Sequence, residues 1–142
     1  MRLERGDALA RLEGHDHAVL GTVHPRRGVD AVPVAYALDP DGYVAVPVDL
    51  VKPKAAWRLQ RERNLEGDPR ATLLAEHWDS RDWSRLWWVR AGLLWQSDAE
   101  PDRVAALSAA LAARYPQYRH EPFARLIILR VVDVTGWSAQ DL

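Results

Sequence analysis

Residues 29–48 read VDAVPVAYALDPDGYVAVPV, and this stretch predicts two strands joined by a tight turn. The larger apolar residues occupy every second position from Val32 to Leu38 and again from Val44 to Val48, which is the period of a strand with one buried face. The tetrapeptide Asp39-Pro40-Asp41-Gly42 between them favours a turn. Because so short a connection cannot carry a parallel crossover, we expect the two strands to pair antiparallel.

The rest of the chain adds four expected strands and three expected helices around this hairpin. Further strands are expected at residues 17–23, 70–78, 86–96 and 124–137, and helices at residues 3–13, 53–66 and about 98–114. Pro53 suits the first turn of the second helix, whereas Pro33 within a strand marks a sheet edge or a bulge. Six strands with short connections favour a mainly antiparallel, closed or nearly closed barrel with helices on its outside.

Length and composition indicate one globular domain. A chain of 142 residues has the size of one domain and can bury about 70% of the surface that it exposes when unfolded. Hydrophobic residues make up 48% and charged residues 27%, which excludes a disordered chain. Because the sequence has no cysteine, disulfides and thiolate metal sites are excluded as well. We therefore assign residues 1–142 to a single domain.

The charge balance argues against two large classes of partner. The 19 basic and 20 acidic residues nearly cancel, which is unlike a general nucleic-acid or membrane-surface binder. Residues 1–7 alternate charges without a following apolar run and do not resemble a signal peptide. The longest apolar stretch, residues 104–113, is too short to span a bilayer. We expect a cytoplasmic protein that binds neither nucleic acid nor a membrane.

Only two of the basic residues are lysines, and both lie in the tripeptide Lys52-Pro53-Lys54. The tripeptide falls at the expected start of a helix, where the helix dipole disfavours cations and free backbone N–H groups favour an anion. A phosphate between the two lysines would make both charges favourable. The sequence therefore predicts a phosphate site at Lys52 and Lys54.

Two arginines extend this basic region along the expected helix. Lys54, Arg58 and Arg61 recur at spacings of four and three residues and would form one basic stripe. The stripe could continue the phosphate site, or it could be a solvated helix face whose arginines pair with Glu62 and Glu66. The second interpretation accounts for the arginines but not for the lysines.

The chain has seven tryptophans, more than folding alone requires. Trp87 and Trp95 fall on one face of an expected strand and Trp88 on the other, where packing in the core or a dimer interface is the ordinary role. Trp78 and Trp83 flank a polar loop and could form the wall of a pocket for a planar ring.

Other groups of reactive side chains are weaker candidates. His15 and His17 could share a metal, but we interpret them as solvated strand-end residues because no third ligand accompanies them. Asp79 and Asp82 lie in a polar loop, where carboxylates more often stabilise turns than act as an acid–base pair. The sequence has no glycine-rich phosphate loop and no nucleophile elbow. We assign no catalytic residue and no metal ligand.

The order of several short motifs resembles a known superfamily. The matching stretches are Thr22-Val23-His24-Pro25, Val32-Pro33-Val34, Val48-Asp49, Lys52-Pro53-Lys54, Arg63-Asn64-Leu65-Glu66, Asp68-Pro69-Arg70, Asp82-Trp83-Ser84 and Leu86-Trp87-Trp88-Val89-Arg90. Their order resembles the split β-barrel flavin and deazaflavin oxidoreductases related to pyridoxamine 5′-phosphate oxidase, and the likeness runs from about residue 15 to residue 137. The closer likeness is to the branch that uses coenzyme F420. The paired Arg/Lys strand pattern by which pyridoxamine phosphate oxidase holds FMN is lacking.

This resemblance implies a mainly β (α+β) fold, a six-stranded antiparallel split β-barrel with peripheral helices. It also implies a homodimer with two cofactor sites at the subunit interface. Lys52 and Lys54 would hold the cofactor phosphate, and Trp83 would lie close to the pocket, contributed by either subunit. The ring system would lie near Val32, Pro33, Val34, Pro47 and Val48.

The function that the resemblance implies is that of an F420-dependent oxidoreductase, which transfers a hydride between its cofactor and a small unsaturated or carbonyl-bearing substrate. Arg58 and Arg61 would continue the basic track toward the acidic tail of F420, which FMN lacks. The alternatives are an FMN-binding oxidoreductase like pyridoxamine phosphate oxidase and a non-catalytic carrier of a flavin, a deazaflavin or haem. A nucleic-acid module that uses Arg58, Arg61 and Arg63 is disfavoured by the near-neutral charge.

Overall fold

The computed structural model describes residues 1–49 and 58–140, which form seven strands, three α-helices and two short 3₁₀ helices. The strands are β1 (Ala18–His24), β2 (Gly28–Val34), β3 (Ala37–Leu38), β4 (Tyr43–Asp49), β5 (Arg70–His77), β6 (Trp87–Trp95) and β7 (Phe123–Ser138). The α-helices are α1 (Arg5–Gly14), α2 (Gln60–Gly67) and α3 (Pro101–Arg114), and the 3₁₀ helices are Trp83–Arg85 and Pro116–Tyr118. The expected mainly β, α+β class is confirmed.

The strands form one antiparallel sheet in the order β2-β1-β5-β6-β7-β4-β3. β2 and β3 are its edges, and no ladder joins them within the described residues, so the sheet is open rather than a closed barrel. The prediction of six strands is wrong by one, because the strand expected at residues 29–38 is divided into β2 and β3. Pro33 lies in the edge strand β2, as its missing N–H predicts.

The division of this strand occurs at Ala35 and Tyr36. β2 still pairs with β1 at Val34, and β3 already pairs with β4 at Ala37. Between them the Tyr36 N–H donates to the hydroxyl oxygen of Tyr115 (3.2 Å), and the same hydroxyl lies 3.1 Å from the Tyr36 carbonyl oxygen. A tyrosine side chain therefore takes the place of a neighbouring strand where the chain passes from one edge of the sheet to the other.

The inner face of the sheet holds the main core. Inward-facing residues alternate along the strands and are buried, among them Leu20, Val46, Leu73, Val89 and Leu129. α1 and α2 add Leu12 and Leu65 to the same core. Both helices are therefore held against the sheet by burial of apolar surface.

The outer face of the sheet is covered in part by α3. Leu107 and Leu111 of α3 are buried and form a second cluster with Ala45 of β4 and Ile128 of β7. Pro101 begins this helix, so the start expected at about residue 98 is wrong by three residues. Among the residues that the structure describes, no helix is both long and apolar enough to cross a membrane.

The start of α2 also differs from the prediction. Leu59 has an extended backbone conformation, so a continuous helix over residues 53–66 is wrong, and α2 begins at Gln60. The Leu59 N–H donates to Oε1 of Glu62 (2.9 Å), and the Glu62 N–H donates to the Leu59 carbonyl oxygen (3.0 Å). This capping interaction fixes the start of α2 at Gln60. Pro53 lies outside the described residues.

Candidate functional site

Lys52 and Lys54, the predicted phosphate ligands, lie outside the described residues. The structure does describe Arg58 and Arg61, which were expected on the same helix face. Arg58 precedes α2, whereas Arg61 is its second residue. The prediction of one basic stripe along a helix is therefore wrong.

Arg58 is paired with two carboxylates. Its guanidinium lies 2.7 Å from Oε1 of Glu66 and 3.9 Å from Oε2 of Glu62. Its charge is balanced within the chain, so the alternative interpretation, an arginine that pairs with Glu62 and Glu66, is right for Arg58.

Arg61 differs from its basic neighbours. Its side chain is half-buried, and its buried Nε has no hydrogen-bond partner within residues 1–49 and 58–140. Burial lowers the pKa of the Arg61 guanidinium, and the carboxylates of Glu62 and Asp49 offset this in part through space. Arg61 is therefore a partly desolvated cation whose Nε donor is unsatisfied in the described part of the chain.

Arg61 lines a pocket of about 410 Å³ between the start of α2 and the edge of the sheet. The pocket is lined by Thr22, Arg27, Val29, Asp30, Ala31, Val32, Leu59, Gln60 and Arg61. The first backbone N–H groups of a helix have no acceptor within the helix, and those of Gln60 and Arg61 belong to residues that line this pocket. The guanidinium and the helix N-terminus thus favour an anion at the same place.

A hydrogen-bond network fixes one wall of the pocket. Nδ2 of the buried Asn64 donates to Oγ1 of Thr22 (3.0 Å) and to Oδ2 of Asp30 (2.9 Å). Asp30 also accepts two hydrogen bonds from the guanidinium of Arg27 (3.0 and 2.8 Å). The hydrogen bonds from Arg27 and Asn64 lower the pKa of Asp30 to about 2. Asp30 is therefore ionised and balances the charge of Arg27, which leaves Arg61 as the excess positive charge of the lining.

Sequence reasoning missed the roles of Asn64 and Asp30. A signal was present in Asn64, because asparagine is unfavourable inside a helix unless its side chain has a partner elsewhere. The partner could not be read from the sequence, since Thr22 lies 42 positions away in the chain.

An ion pair between α2 and β7 holds Arg61 in position. The carboxylate of the buried Glu62 accepts hydrogen bonds from Nε (2.6 Å) and Nη2 (2.5 Å) of Arg125. Burial by itself would raise the pKa of Glu62, but the hydrogen bonds from Arg125 and from the Leu59 N–H outweigh it and place the pKa below its usual value. The start of α2 is therefore tied to the sheet by an ionised, buried carboxylate.

The residues predicted to lie near a ring system are mostly buried. Val34, Pro47 and Val48 are buried in the single chain. Val32 is half-buried and lines the pocket, and Pro33 is exposed on the outer side of β2. The structure thus brings Val32 and Arg61 together at one pocket, and contacts of the other residues with a ring stay predictions.

Trp83 is exposed and forms an edge-on pair with Trp78, with ring centroids 5.5 Å apart. This pair follows the end of β5 at His77, whereas Thr22 in the pocket lies beside Ala71 at the opposite end of β5. Trp83 is therefore not part of the pocket within one chain. Its contribution from a second subunit stays a prediction.

Asp79 and Asp82 act as turn-stabilising residues. Oδ1 of Asp79 accepts a hydrogen bond from the N–H of Arg81 (2.9 Å), and Oδ1 of Asp82 accepts one from the N–H of Ser84 (3.1 Å). These contacts support the structural interpretation of the two carboxylates over an acid–base pair.

Comparison with known proteins finds solved structures that resemble this chain. No protein-family model matches the chain, and no curated protein matches it. A conserved hypothetical protein from Mycobacterium tuberculosis has 18% identity and a TM-score of 0.72 over 97% of this chain and 86% of that chain. An FAD-binding protein from Mesorhizobium loti has 11% identity and a TM-score of 0.70 over 96% and 95%. The heme storage protein HutZ from Vibrio cholerae has 13% identity and a TM-score of 0.65 over 94% and 94%.

These similarities show the fold of the chain. It shares the split-barrel fold of these FAD-binding and heme storage proteins, so the fold that the resemblance implies is confirmed. At these identities the likeness does not distinguish the F420-dependent branch, which stays a prediction.

Proposed function

We propose that the protein binds a phosphate-bearing cofactor of the flavin type, with the phosphate at Arg61, and acts as an oxidoreductase. The observation that carries this proposal is the half-buried Arg61, which lies at the start of α2 and lines a pocket, with an Nε donor that has no partner in the described residues. The structural likeness to an FAD-binding protein supports this class of ligand. Such a cofactor supplies hydride transfer when bound, and the protein has to bind it, orient it and exclude water.

An anion at Arg61 would satisfy two features of the pocket at once. Burying a cation without a counter-ion costs free energy, which a bound phosphate offsets. A charge-assisted hydrogen bond from the guanidinium would contribute about 1.5–3 kcal/mol. The N-terminus of α2 would add about 0.3–1 kcal/mol. Both contributions favour a phosphate-bearing ligand over a neutral one.

The choice among flavin-type cofactors follows from the charges around α2. A basic track through Lys54, Arg58 and Arg61 would favour F420, but the charge of Arg58 is paired with that of Glu66. Flavin nucleotides are accordingly the first candidates. F420, with a small unsaturated or carbonyl-bearing substrate, is the alternative within the same proposal. Lys52 and Lys54 stay candidate phosphate ligands on the sequence argument alone.

Parallel titrations test the cofactor class. The cofactor-free protein is titrated at fixed salt with FMN, FAD, F420 and haem, and binding is followed by absorption and fluorescence. Saturable binding of FMN, FAD or F420 supports the proposal, and binding of haem alone contradicts it. Oxidation of the reduced cofactor by a carbonyl or unsaturated acceptor supports an oxidoreductase, whereas binding without turnover indicates a carrier.

We expect Arg61→Ala to weaken binding of the preferred cofactor about tenfold, which corresponds to about 1.4 kcal/mol. The substitution removes a charge-assisted hydrogen bond to the phosphate and leaves the capping residues of α2 in place. The dissociation constant is measured by fluorescence titration of wild type and variant at the same salt concentration.

Arg63→Ala is the matched control, because Arg63 is exposed on the same helix. Within the described residues its Nη1 makes only a long hydrogen bond, of 3.4 Å, to Oε1 of Gln60. Arg58→Ala serves as a second comparison, since its partner is Glu66. Both variants should change the dissociation constant by about twofold or less. Equal losses in all three variants would indicate general electrostatic attraction, and an unchanged constant in Arg61→Ala would contradict the site.

A second subunit would complete this pocket, because the part of the outer face formed by β1, β2 and β5 is not covered by the residues that the structure describes. The outer side of β1, β2 and β5 exposes Val19, Val29 and Leu74, with the side-chain-free Gly21 beside them. A pocket of about 310 Å³ on this face shares Thr22 and Val29 with the pocket of Arg61. We therefore include a homodimer in the proposal, since a symmetric partner would cover the apolar residues and close the cofactor pocket.

We expect a dimer at micromolar concentration for wild type and a monomer for Leu74→Arg. The leucine is 37% exposed in the single chain, so a charge there leaves the fold intact but is costly inside an apolar interface. Light scattering coupled to gel filtration gives both masses, and circular dichroism checks the fold. A monomeric wild-type protein would remove the two-chain site from the proposal.

A further inference from the structure

A second group of potential ligands lies before β1, in the segment His15-Asp16-His17 that joins it to α1. One ligand atom from each of the three residues lies within 4.8 Å of the others. The two imidazole centroids are 5.1 Å apart, and Oδ1 of Asp16 lies 2.6 Å from Nδ1 of His17. Asp16 supplies the third ligand that a metal site at the two histidines requires.

We propose that His15, Asp16 and His17 bind a divalent transition metal such as Zn²⁺ or Ni²⁺. Two imidazoles and one carboxylate are donors that Zn²⁺ takes in sites with three protein ligands, where the fourth position is open to water or another ligand. Imidazole nitrogens also select against Mg²⁺ and Ca²⁺, which prefer oxygen ligands. Because the sequence has no cysteine, no thiolate competes for the ion.

The backbone of this segment is held in place by two tyrosines. The hydroxyl of the buried Tyr36 is in hydrogen-bond contact with the carbonyl oxygens of Leu12 and His15, 3.2 Å from the latter. The hydroxyl of Tyr115 donates to the Asp16 carbonyl oxygen (2.8 Å). Metal binding therefore has to order side chains only, and this preorganisation lowers its entropic cost.

The three ligand atoms are close enough to converge on one ion. A tetrahedral ion with bonds of about 2.1 Å holds its ligand atoms about 3.4 Å apart, so the widest separation here has to close by about 1.4 Å at most. The side chains of Asp16 and His17 are 81% and 67% exposed, and both can change rotamer without displacing other residues. The metal-bound arrangement is therefore within reach of side-chain rotation.

His15 is positioned by an aromatic neighbour and has an unsatisfied nitrogen. Its ring meets that of Trp87 edge-on, with centroids 5.1 Å apart. Its buried Nε2 has no hydrogen-bond partner in residues 1–49 and 58–140. No contact at Nε2 fixes the tautomer, so a lone pair of the ring is available to an ion. Trp87 also places a fluorophore beside the site.

This site is separate from the pocket of Arg61. Thr22 in that pocket lies five positions along the chain from His17, a distance of about 17 Å in an extended strand. Metal binding and cofactor binding can therefore be tested independently, and failure of one leaves the other standing.

Calorimetric titration of the full chain with Zn²⁺ alone tests the proposal. We expect one Zn²⁺ per chain for wild type, and affinities at least about tenfold lower for His15→Ala, His17→Ala and Asp16→Asn. All three variants retain the backbone carbonyls that the tyrosines contact, so the fold should persist in circular dichroism. With Ni²⁺ as the probe, quenching of tryptophan fluorescence should fall markedly in Trp87→Phe.

His120→Ala is the control, because this exposed histidine lies outside the segment and contacts only Arg119 in the described residues. It should bind Zn²⁺ as wild type does. The proposal is overturned by the absence of saturable binding to wild type, by unchanged affinity in the His15 and His17 variants, or by an equal loss in His120→Ala.

Discussion

Replacing Tyr36 by alanine is expected to lower the free energy of unfolding by about 4 kcal/mol. Tyr36 is fully buried where the chain passes from β2 to β3, and the guanidinium of Arg114 lies 4.6 Å from its ring centroid. The substitution would leave a cavity in the main core and remove the hydroxyl that contacts the carbonyl oxygens of Leu12 and His15. Urea denaturation of wild type and variant, followed by circular dichroism, measures the loss.

Tyr36→Phe distinguishes the contribution of the hydroxyl to stability from that of the ring. It keeps the packing and leaves two carbonyl oxygens without this donor, so we expect a loss of about 1 kcal/mol. Similar losses for the phenylalanine and alanine variants would show that hydrogen bonding, not packing, gives Tyr36 its role. A loss below about 1.5 kcal/mol for Tyr36→Ala would contradict the prediction.

Replacing Glu62 by alanine is expected to lower the free energy of unfolding by about 3 kcal/mol. Arg125 would lose the carboxylate that accepts two of its hydrogen bonds, and the Leu59 N–H would lose its acceptor at the start of α2. Because the Arg125 side chain is 32% exposed, we take the lower end of the range for a broken buried pair. Urea denaturation at neutral pH measures the change.

The contribution of Glu62 should also depend on pH. Its pKa is lower in the folded state than in the unfolded chain, so its stabilisation is complete above the unfolded-state pKa of about 4.3 and is lost as the pH falls through the folded-state value. The difference between wild type and Glu62→Gln should therefore shrink in acid. Glu66→Gln is the control, because Glu66 is exposed and should cost about 0.5 kcal/mol or less. A pH-independent difference would contradict the role of the ionised carboxylate.

The parts of the fold that were predicted from sequence depend on local patterns. The turn between β3 and β4 is as expected, and Gly42 adopts there a φ of 86°, which glycine favours. The expected pairing with β4 holds only for Ala37 and Leu38, because β2 pairs with β1 instead. The break at Tyr36 depends on the hydroxyl of Tyr115, which lies 79 positions away. No window of sequence contains both residues, so one long strand was predicted where two occur.

In the candidate site, too, some features follow from local sequence patterns and others depend on contacts between distant residues. Arg61 was singled out by its spacing, but its distinction from Arg58 comes from where the carboxylates of Glu62 and Glu66 lie in space. The start of α2 was misplaced because Pro53 is a local signal, whereas the bond between Glu62 and Arg125 is tertiary. Charge pairing across the fold therefore decided which arginine is available to a ligand.

The chain's passage between the two sheet edges has a consequence for the order of folding. The hairpins β1–β2 and β5–β6 close short loops, whereas contact between Tyr36 and Tyr115 has to close a segment of 79 positions, at a higher entropic cost. Contacts of this range form late and slow the folding of β-rich chains. The contact of the Tyr115 hydroxyl with the backbone of Tyr36 would then be absent from the folding nucleus. Removal of this hydroxyl in Tyr115→Phe should appear as faster unfolding, while the rate of folding stays nearly the same.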